Sequence, residues 1–205
     1  MNGPLEAMLN EDFQKGYLKY LEEGKTDEII ELREFSGIAP VIDEKTKEAV
    51  QKGYIRCLEE NCIDKIPYLK AFSGIEPVID EKLTYLIQEK YVASFEMGRI
   101  SEADKLKRFT GVSPSEDAVQ RGYVNLLGKG WVEYAAALKG FSGIAPSDES
   151  VQRGYAGCFE LGLINGVEAW ANIAVKIKKF SGISPSKKIV EGYSDAYKKF
   201  LGAQK

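Results

Sequence analysis

One six-residue phrase recurs five times along this chain: Phe35-Ser-Gly-Ile-Ala-Pro40, Phe72-Ser-Gly-Ile-Glu-Pro77, Phe109-Thr-Gly-Val-Ser-Pro114, Phe141-Ser-Gly-Ile-Ala-Pro146 and Phe180-Ser-Gly-Ile-Ser-Pro185. The starts lie 37, 37, 32 and 39 residues apart. Self-similarity at that spacing predicts a chain built by stacking one supersecondary unit, each copy covering the apolar face of the next.

A second column aligns with the first. Tyr17, Tyr54, Tyr91, Tyr123, Tyr155 and Tyr193 are mostly preceded by Gly. Four residues earlier stand Phe13, Val50, Ile87, Val119, Val151 and Ile189. Four residues later stand Leu21, Leu58, Phe95, Leu127, Phe159 and Tyr197. That spacing makes one apolar stripe on a helix, here termed helix A. Seven residues after the tyrosine come Gly24, Asn61, Gly98, Gly130 and Gly162, the residue types that tolerate positive φ, so helix A is expected to end there. Asp27, Asp64, Ser101, Glu133 and Asn165 then form a column suited to N-capping a second helix, helix B. Helix B carries Leu32, Leu69, Leu106, Leu138 and Ile177 on its apolar face and runs to the phrase Phe. The phrase Gly is expected to close it in a Schellman motif, with the next Ile or Val folding back and Pro preventing continuation. Asp43 and Asp80 are expected to cap the helices A that follow them.

The expected fold is therefore all-α: an α-solenoid of about five antiparallel helical hairpins plus a C-terminal capping helix. It is read as a single repeat domain over 1–205, with repeats at 5–40, 41–77, 78–114, 115–146 and 147–185 and the cap at 186–201. In the fifth hairpin, helix B gains seven residues, Val167 to Ile173, including Trp170, which falls on the apolar stripe. Lys187, Lys188, Lys198 and Lys199 give the last helix a polar character suited to closing an array.

The helix-turn-helix unit resembles the broad class of α-solenoid repeats that includes tetratricopeptide and pentatricopeptide proteins, and the likeness spans essentially the whole chain. It is a likeness to the class: the tetratricopeptide signature of Trp, Leu, Gly, Tyr, Ala, Phe and Pro is absent, so no binding residue is carried over. The resemblance implies a protein that binds other macromolecules, protein in the first family and single-stranded RNA in the second.

Composition narrows the chemistry. A net charge of −3 offers no general surplus for gripping a polyanion. The absence of histidine removes the commonest general base and zinc ligand and every Ser-His or Cys-His arrangement. Cys57, Cys62 and Cys158 form no CxxC pair, which suits a reducing, cytoplasmic setting. No run is long and apolar enough to span a bilayer, and no secretory pattern opens the chain. The sequence is thus read as a non-enzymatic scaffold with no cofactor, metal or membrane role.

Its candidate binding residues form two rows on helix A. Gln14, Gln51, Gln88, Gln120 and Gln152 stand three residues before the tyrosine, able either to read an extended peptide or RNA or to bond backbone within the array. Lys15, Lys52, Arg121 and Arg153 stand beside them, joined by Lys19 and Arg56, with Glu22, Glu23, Glu59, Glu60, Glu96 and Glu160 near enough to pair with them. Trp131, in an A–B turn, is either an interface anchor or a ring folded over its own hairpin. The leading expectation is a protein or peptide partner along the groove of successive helices A. The alternatives are a single-stranded RNA-binding array, and an enzyme with a carboxylate site in the concavity.

Overall fold

The computed structural model describes the backbone of residues 4–165 and 167–203, and side chains within 8–162 and 170–195. Among the described residues there are eleven α-helices and no strand. They are α1 (Pro4–Glu22), α2 (Thr26–Ser36), α3 (Glu44–Glu59), α4 (Ile66–Ser73), α5 (Glu81–Glu96), α6 (Ile100–Thr110), α7 (Glu116–Gly128), α8 (Val132–Ser142), α9 (Asp148–Asn165), α10 (Val167–Ser181) and α11 (Lys187–Ala203). A single 3-10 turn, Ile63–Lys65, leads into α4. None of these helices is long and apolar enough to cross a membrane.

The helices group into two compact units, residues 1–87 with 108–112 and residues 88–107 with 113–205. In the first, α1 packs on α2 and α3, and α3 on α4. In the second, α7 packs on α8 and α9, α9 on α10 and α11, and α8 on α10. The aligned tyrosines form the centre of each core: Tyr17, Tyr54, Tyr91, Tyr123 and Tyr155 are all buried, together with Val50, Leu58, Ile87, Val119, Leu127 and Val151 from the same stripe.

Two kinds of helix end alternate, and each has its own chemistry. The odd-numbered helices α1, α3, α5 and α7 close with Gly24, Asn61, Gly98 and Gly130 at φ between 62 and 73°. After α1, the Gly24 N–H donates to the Leu21 carbonyl and the Lys25 N–H to the Tyr20 carbonyl, and the same crossed pair follows α3, α5 and α7. That is the Schellman pattern, and it belongs here rather than at the phrase where the sequence placed it. The phrase glycines, Gly37, Gly74, Gly143 and Gly182, instead make one bond back to the carbonyl four residues earlier. The following N–H cannot complete a crossed pair because the phrase hydroxyl captures it: Ile38 donates to Ser36 Oγ, Ile75 to Ser73, Val112 to Thr110, Ile144 to Ser142 and Ile183 to Ser181, at 3.1–3.2 Å.

The buried tyrosine completes this turn. Its hydroxyl donates to the carbonyl of the phrase Ile: Tyr17 to Ile38 at 2.5 Å, Tyr54 to Ile75 at 2.6 Å, Tyr123 to Ile144 at 2.6 Å and Tyr155 to Ile183 at 2.7 Å. A ring that fills the core thus has its one polar atom satisfied by the loop that would otherwise leave a carbonyl without a partner.

Two expectations need correction. Asp27, Ser101 and Glu133 lie one residue inside their helices, which begin at Thr26, Ile100 and Val132, and Asp64 lies in the 3-10 turn. They do not cap: the positions before α2 and α8, Lys25 and Trp131, make no side-chain capping bond, because the Schellman turn delivers the chain directly into the next helix. Gly162 does not end its helix either, since α9 continues to Asn165. Instead a Cβ at Gly162 would stand 2.6 Å from the Trp170 Cβ, so this glycine lets the lengthened α10 lie close. The capping of α3 and α5 does follow the sequence: Asp43 accepts from the Thr46 N–H at 2.9 Å and Asp80 from the Leu83 N–H at 2.7 Å. The Thr46 backbone and hydroxyl bonds hold the Asp43 carboxyl below its ordinary range.

Candidate interaction surface

The glutamine row is tied to backbone in every copy. Gln14 donates to the Ala39 carbonyl and accepts from the Val41 N–H, at 3.0 and 2.8 Å, bracketing Pro40. Gln88 brackets Pro114 through Ser113 and Ser115, Gln120 brackets Pro146 through Ala145 and Ser147, and Gln152 brackets Pro185 through Ser184 and Ser186. Gln51 makes both bonds to Val78, just after Pro77. Proline has no N–H, so the groups flanking it need a partner of mixed polarity, and a primary amide presents both a donor and an acceptor on one edge. The amides therefore fix the loop between helices, and two of them make a further bond: Gln14 donates to Asn10 Oδ1 at 3.4 Å and Gln120 accepts from the Ser150 hydroxyl at 2.8 Å.

Five of the six basic side chains of the second row meet a carboxylate. Lys15 pairs with Glu11 and Asp12, Lys52 with Glu22 at 2.8 Å, Arg56 with Glu60 at 2.7 Å, Arg121 with Glu89 at 3.1 Å and Arg153 with Glu149 at 2.8 Å. Of the glutamates expected to follow one turn later, Glu60 does so. Lys52 and Arg121 reach back to the preceding odd-numbered helix, and Lys15 and Arg153 back one turn. All are exposed, so each pair contributes at most about 1 kcal/mol and the surface they make alternates in sign.

Trp131 follows Gly130 in the α7–α8 turn and is 39% exposed. Its ring lies 5.8 Å from that of Tyr134, also exposed, with Lys129 Nζ 4.9 Å from the indole centroid. Lys129 is itself anchored on the Glu96 carbonyl at 2.9 Å. Trp170 is half-buried and stacks on Tyr193, 4.6 Å between centroids and 11° between planes. Cys57 and Cys158 are buried, and burial pushes both thiols up to about 11, which keeps them protonated and unreactive near neutrality. Lys198 and Lys199 lie outside the described side chains.

The basic residue two places before each phrase Phe was not recognised in the sequence. Arg33, Lys107 and Lys139 stand 5.8, 5.4 and 5.9 Å over the rings of Phe72, Phe141 and Phe180. The same three rings lie against Tyr17, Tyr91 and Tyr123. Phe72 of α4, Phe141 of α8 and Phe180 of α10 thus lie against tyrosines of α1, α5 and α7, whereas Phe35 is 85% exposed with Phe13 edge-on to it. The column of five, Arg33, Lys70, Lys107, Lys139 and Lys178, is legible in the sequence once the phrase is aligned.

Two adjacent grooves run along the exposed side of the odd-numbered helices in the second unit. Between α7 and α9 the groove is small, about 200 Å³, and mixed in polarity, lined by Gln120, Arg121, Ser147 and Arg153 among others. Between α9 and α11 it widens to about 420 Å³ and is mainly apolar, with Ala156, Phe159, Ile189, Gly192 and Tyr193 in its walls and Glu149, Arg153 and Lys188 at its rim. Comparison with protein-family models, characterised proteins and solved structures finds no match to this chain.

Proposed function

We propose that this chain is a non-enzymatic interaction scaffold of the α-solenoid kind, with five helical hairpins and a closing helix, which holds a protein or peptide partner along the exposed faces of its odd-numbered helices. The observation that carries this reading is the α9–α11 groove: an apolar trough of about 420 Å³ with charges of both signs at its rim. A trough of that size accepts one or two large apolar side chains of a partner, and a mixed rim orients it. The neutralised basic row supports a protein over a nucleic acid, because phosphate binding draws on uncompensated cations.

The test is affinity capture from the native source with the wild-type chain and with the double substitution Arg121→Glu, Arg153→Glu. Exposed ion pairs contribute little to folding, so the melting midpoint should stay within a few degrees. A specific partner protein retained by the wild type and lost at least tenfold by the double variant is the expected result. Equal recovery by both removes this face from the account. Recovery of RNA whose binding weakens steeply with salt would establish the nucleic-acid reading instead.

A further inference from the structure

Helix α11 carries the same signature as the other odd-numbered helices, Ile189 four residues before Tyr193 with Gly192 between, yet it is covered differently. In α3, α7 and α9 the corresponding glycine is buried and tightly packed. A Cβ on Gly53 would collide with the Leu21 carbonyl and come within 3.4 Å of Leu69. One on Gly122 would stand 2.8 Å from the Phe95 Cβ and 2.9 Å from Leu138, and one on Gly154 would stand 2.5 Å from the Leu127 Cβ. At Gly192 a Cβ would meet no atom of the described residues within 4 Å, and the residue is exposed. Ile189 is only half-buried, where Val50, Val119 and Val151 are fully buried, and Val190 beside it is exposed. A glycine inside a helix is destabilising against alanine, a cost offset elsewhere in the column by the close approach of a neighbouring helix.

We propose that the apolar face of α11 at Ile189, Gly192 and Tyr193 is a docking site for one amphipathic helix of a partner protein, which lays a leucine over Gly192. The chain's own interfaces identify that chemistry. The side chain over this glycine from the following even-numbered helix is a leucine in α1, α3 and α7: Leu32 at 3.0 Å from the Gly16 position, Leu69 over Gly53 and Leu138 over Gly122. Lys188, exposed at the rim, favours an acidic residue on the same partner helix. Helix-in-groove recognition of this kind reads apolar anchors at helical spacing. The inference rests on the scaffold reading above and specifies its partner.

The probe is a synthetic peptide with the sequence of residues 132–146, the helix whose Leu138 covers Gly122 in the intact protein, titrated into the full ¹⁵N-labelled chain. A short free helix must order on binding, so the affinity should be weak, on the order of 1 mM. Amide shifts centred on Lys188, Ile189, Gly192 and Tyr193 that saturate with peptide are expected. They should weaken at least tenfold with a Leu138→Asp peptide, and likewise in a Gly192→Leu protein, whose melting midpoint should not fall. Shifts that leave Gly192 unmoved, or that neither substitution weakens, overturn the proposal. So does concentration-dependent broadening of the same amides without peptide, which would make the occupant a second copy. Capture that is lost with Arg121→Glu, Arg153→Glu but unchanged with Gly192→Leu also overturns it, while leaving the scaffold reading in place.

Discussion

Helices α9 and α11 carry one signature and use it in opposite ways. In α9, Val151, Gly154 and Tyr155 are buried, with α7, α10 and α11 packed around them. In α11, Tyr193 is held by Phe159 and Trp170, but Gly192 is exposed and Ile189 half-covered. An apolar stripe is therefore a core or a site according to what lies over it, and the stripe alone does not say which. The glycine is the sensitive reporter, because it marks where a second helix comes within contact distance.

The largest effect expected of that difference is alkaline. Burial raises the phenols of Tyr123 and Tyr155 from an ordinary 10.0 to about 12, and the thiols of Cys57 and Cys158 from 9.0 to about 11. Tyr54 and Tyr91 are raised further by the same desolvation. The folded chain keeps these protons to higher pH than the unfolded chain, so stability is intact below about pH 9 and falls as pH climbs toward 12. Several such groups together amount to several kcal/mol, comparable with the whole stability of a small domain. Circular dichroism across pH 8–12 should show a cooperative loss of helix coincident with tyrosinate absorbance. Titration of all eleven tyrosines near 10 in a chain that remains helical would contradict the burial of Tyr54, Tyr91, Tyr123 and Tyr155.

Substitution of the paired glycines comes next in size. Gly154→Leu forces a side chain against Leu127 and should cost about 3 kcal/mol. Gly192→Leu enters open space and should be neutral or stabilise by up to about 1 kcal/mol through helix propensity. Urea melts of the two proteins sharpen the comparison directly, and equal losses would break it. A smaller effect belongs to the turn. Tyr155→Phe removes the donor to the Ile183 carbonyl and should cost about 1–2 kcal/mol, whereas Gln152→Ala frees exposed groups that water can satisfy and should cost less than about 1 kcal/mol. A Gln152→Ala loss exceeding that of Tyr155→Phe would mean the amide, not the phenol, holds the loop.

Much of this was visible in the chain as written, where the chemistry is local. Gly24, Asn61, Gly98 and Gly130 announce left-handed helix ends because few residues tolerate that conformation, and Asp43 and Asp80 announce caps because their partner is three residues away. The all-helical character follows from the same punctuation. The backbone-bonding use of the glutamine row was one of two the sequence offered, and the choice was not legible because the partners lie 25 to 34 residues on and depend on how the helices pack. Gly162 looked like a terminator by register, but the inserted turns of α10 bring Trp170 against it and make it a packing glycine. The exposure of α11 was hidden for the same reason: it depends on the absence of contact, which no spacing encodes.

Native-state amide hydrogen exchange along α9 and α11 reads the difference in their cover residue by residue. The amides around Tyr155 should exchange only with global unfolding, whereas those from Ile189 to Tyr193 should exchange through local opening, at least tenfold faster. Equal protection of the two segments would show α11 to be as well covered as α9, leaving no open face at Gly192.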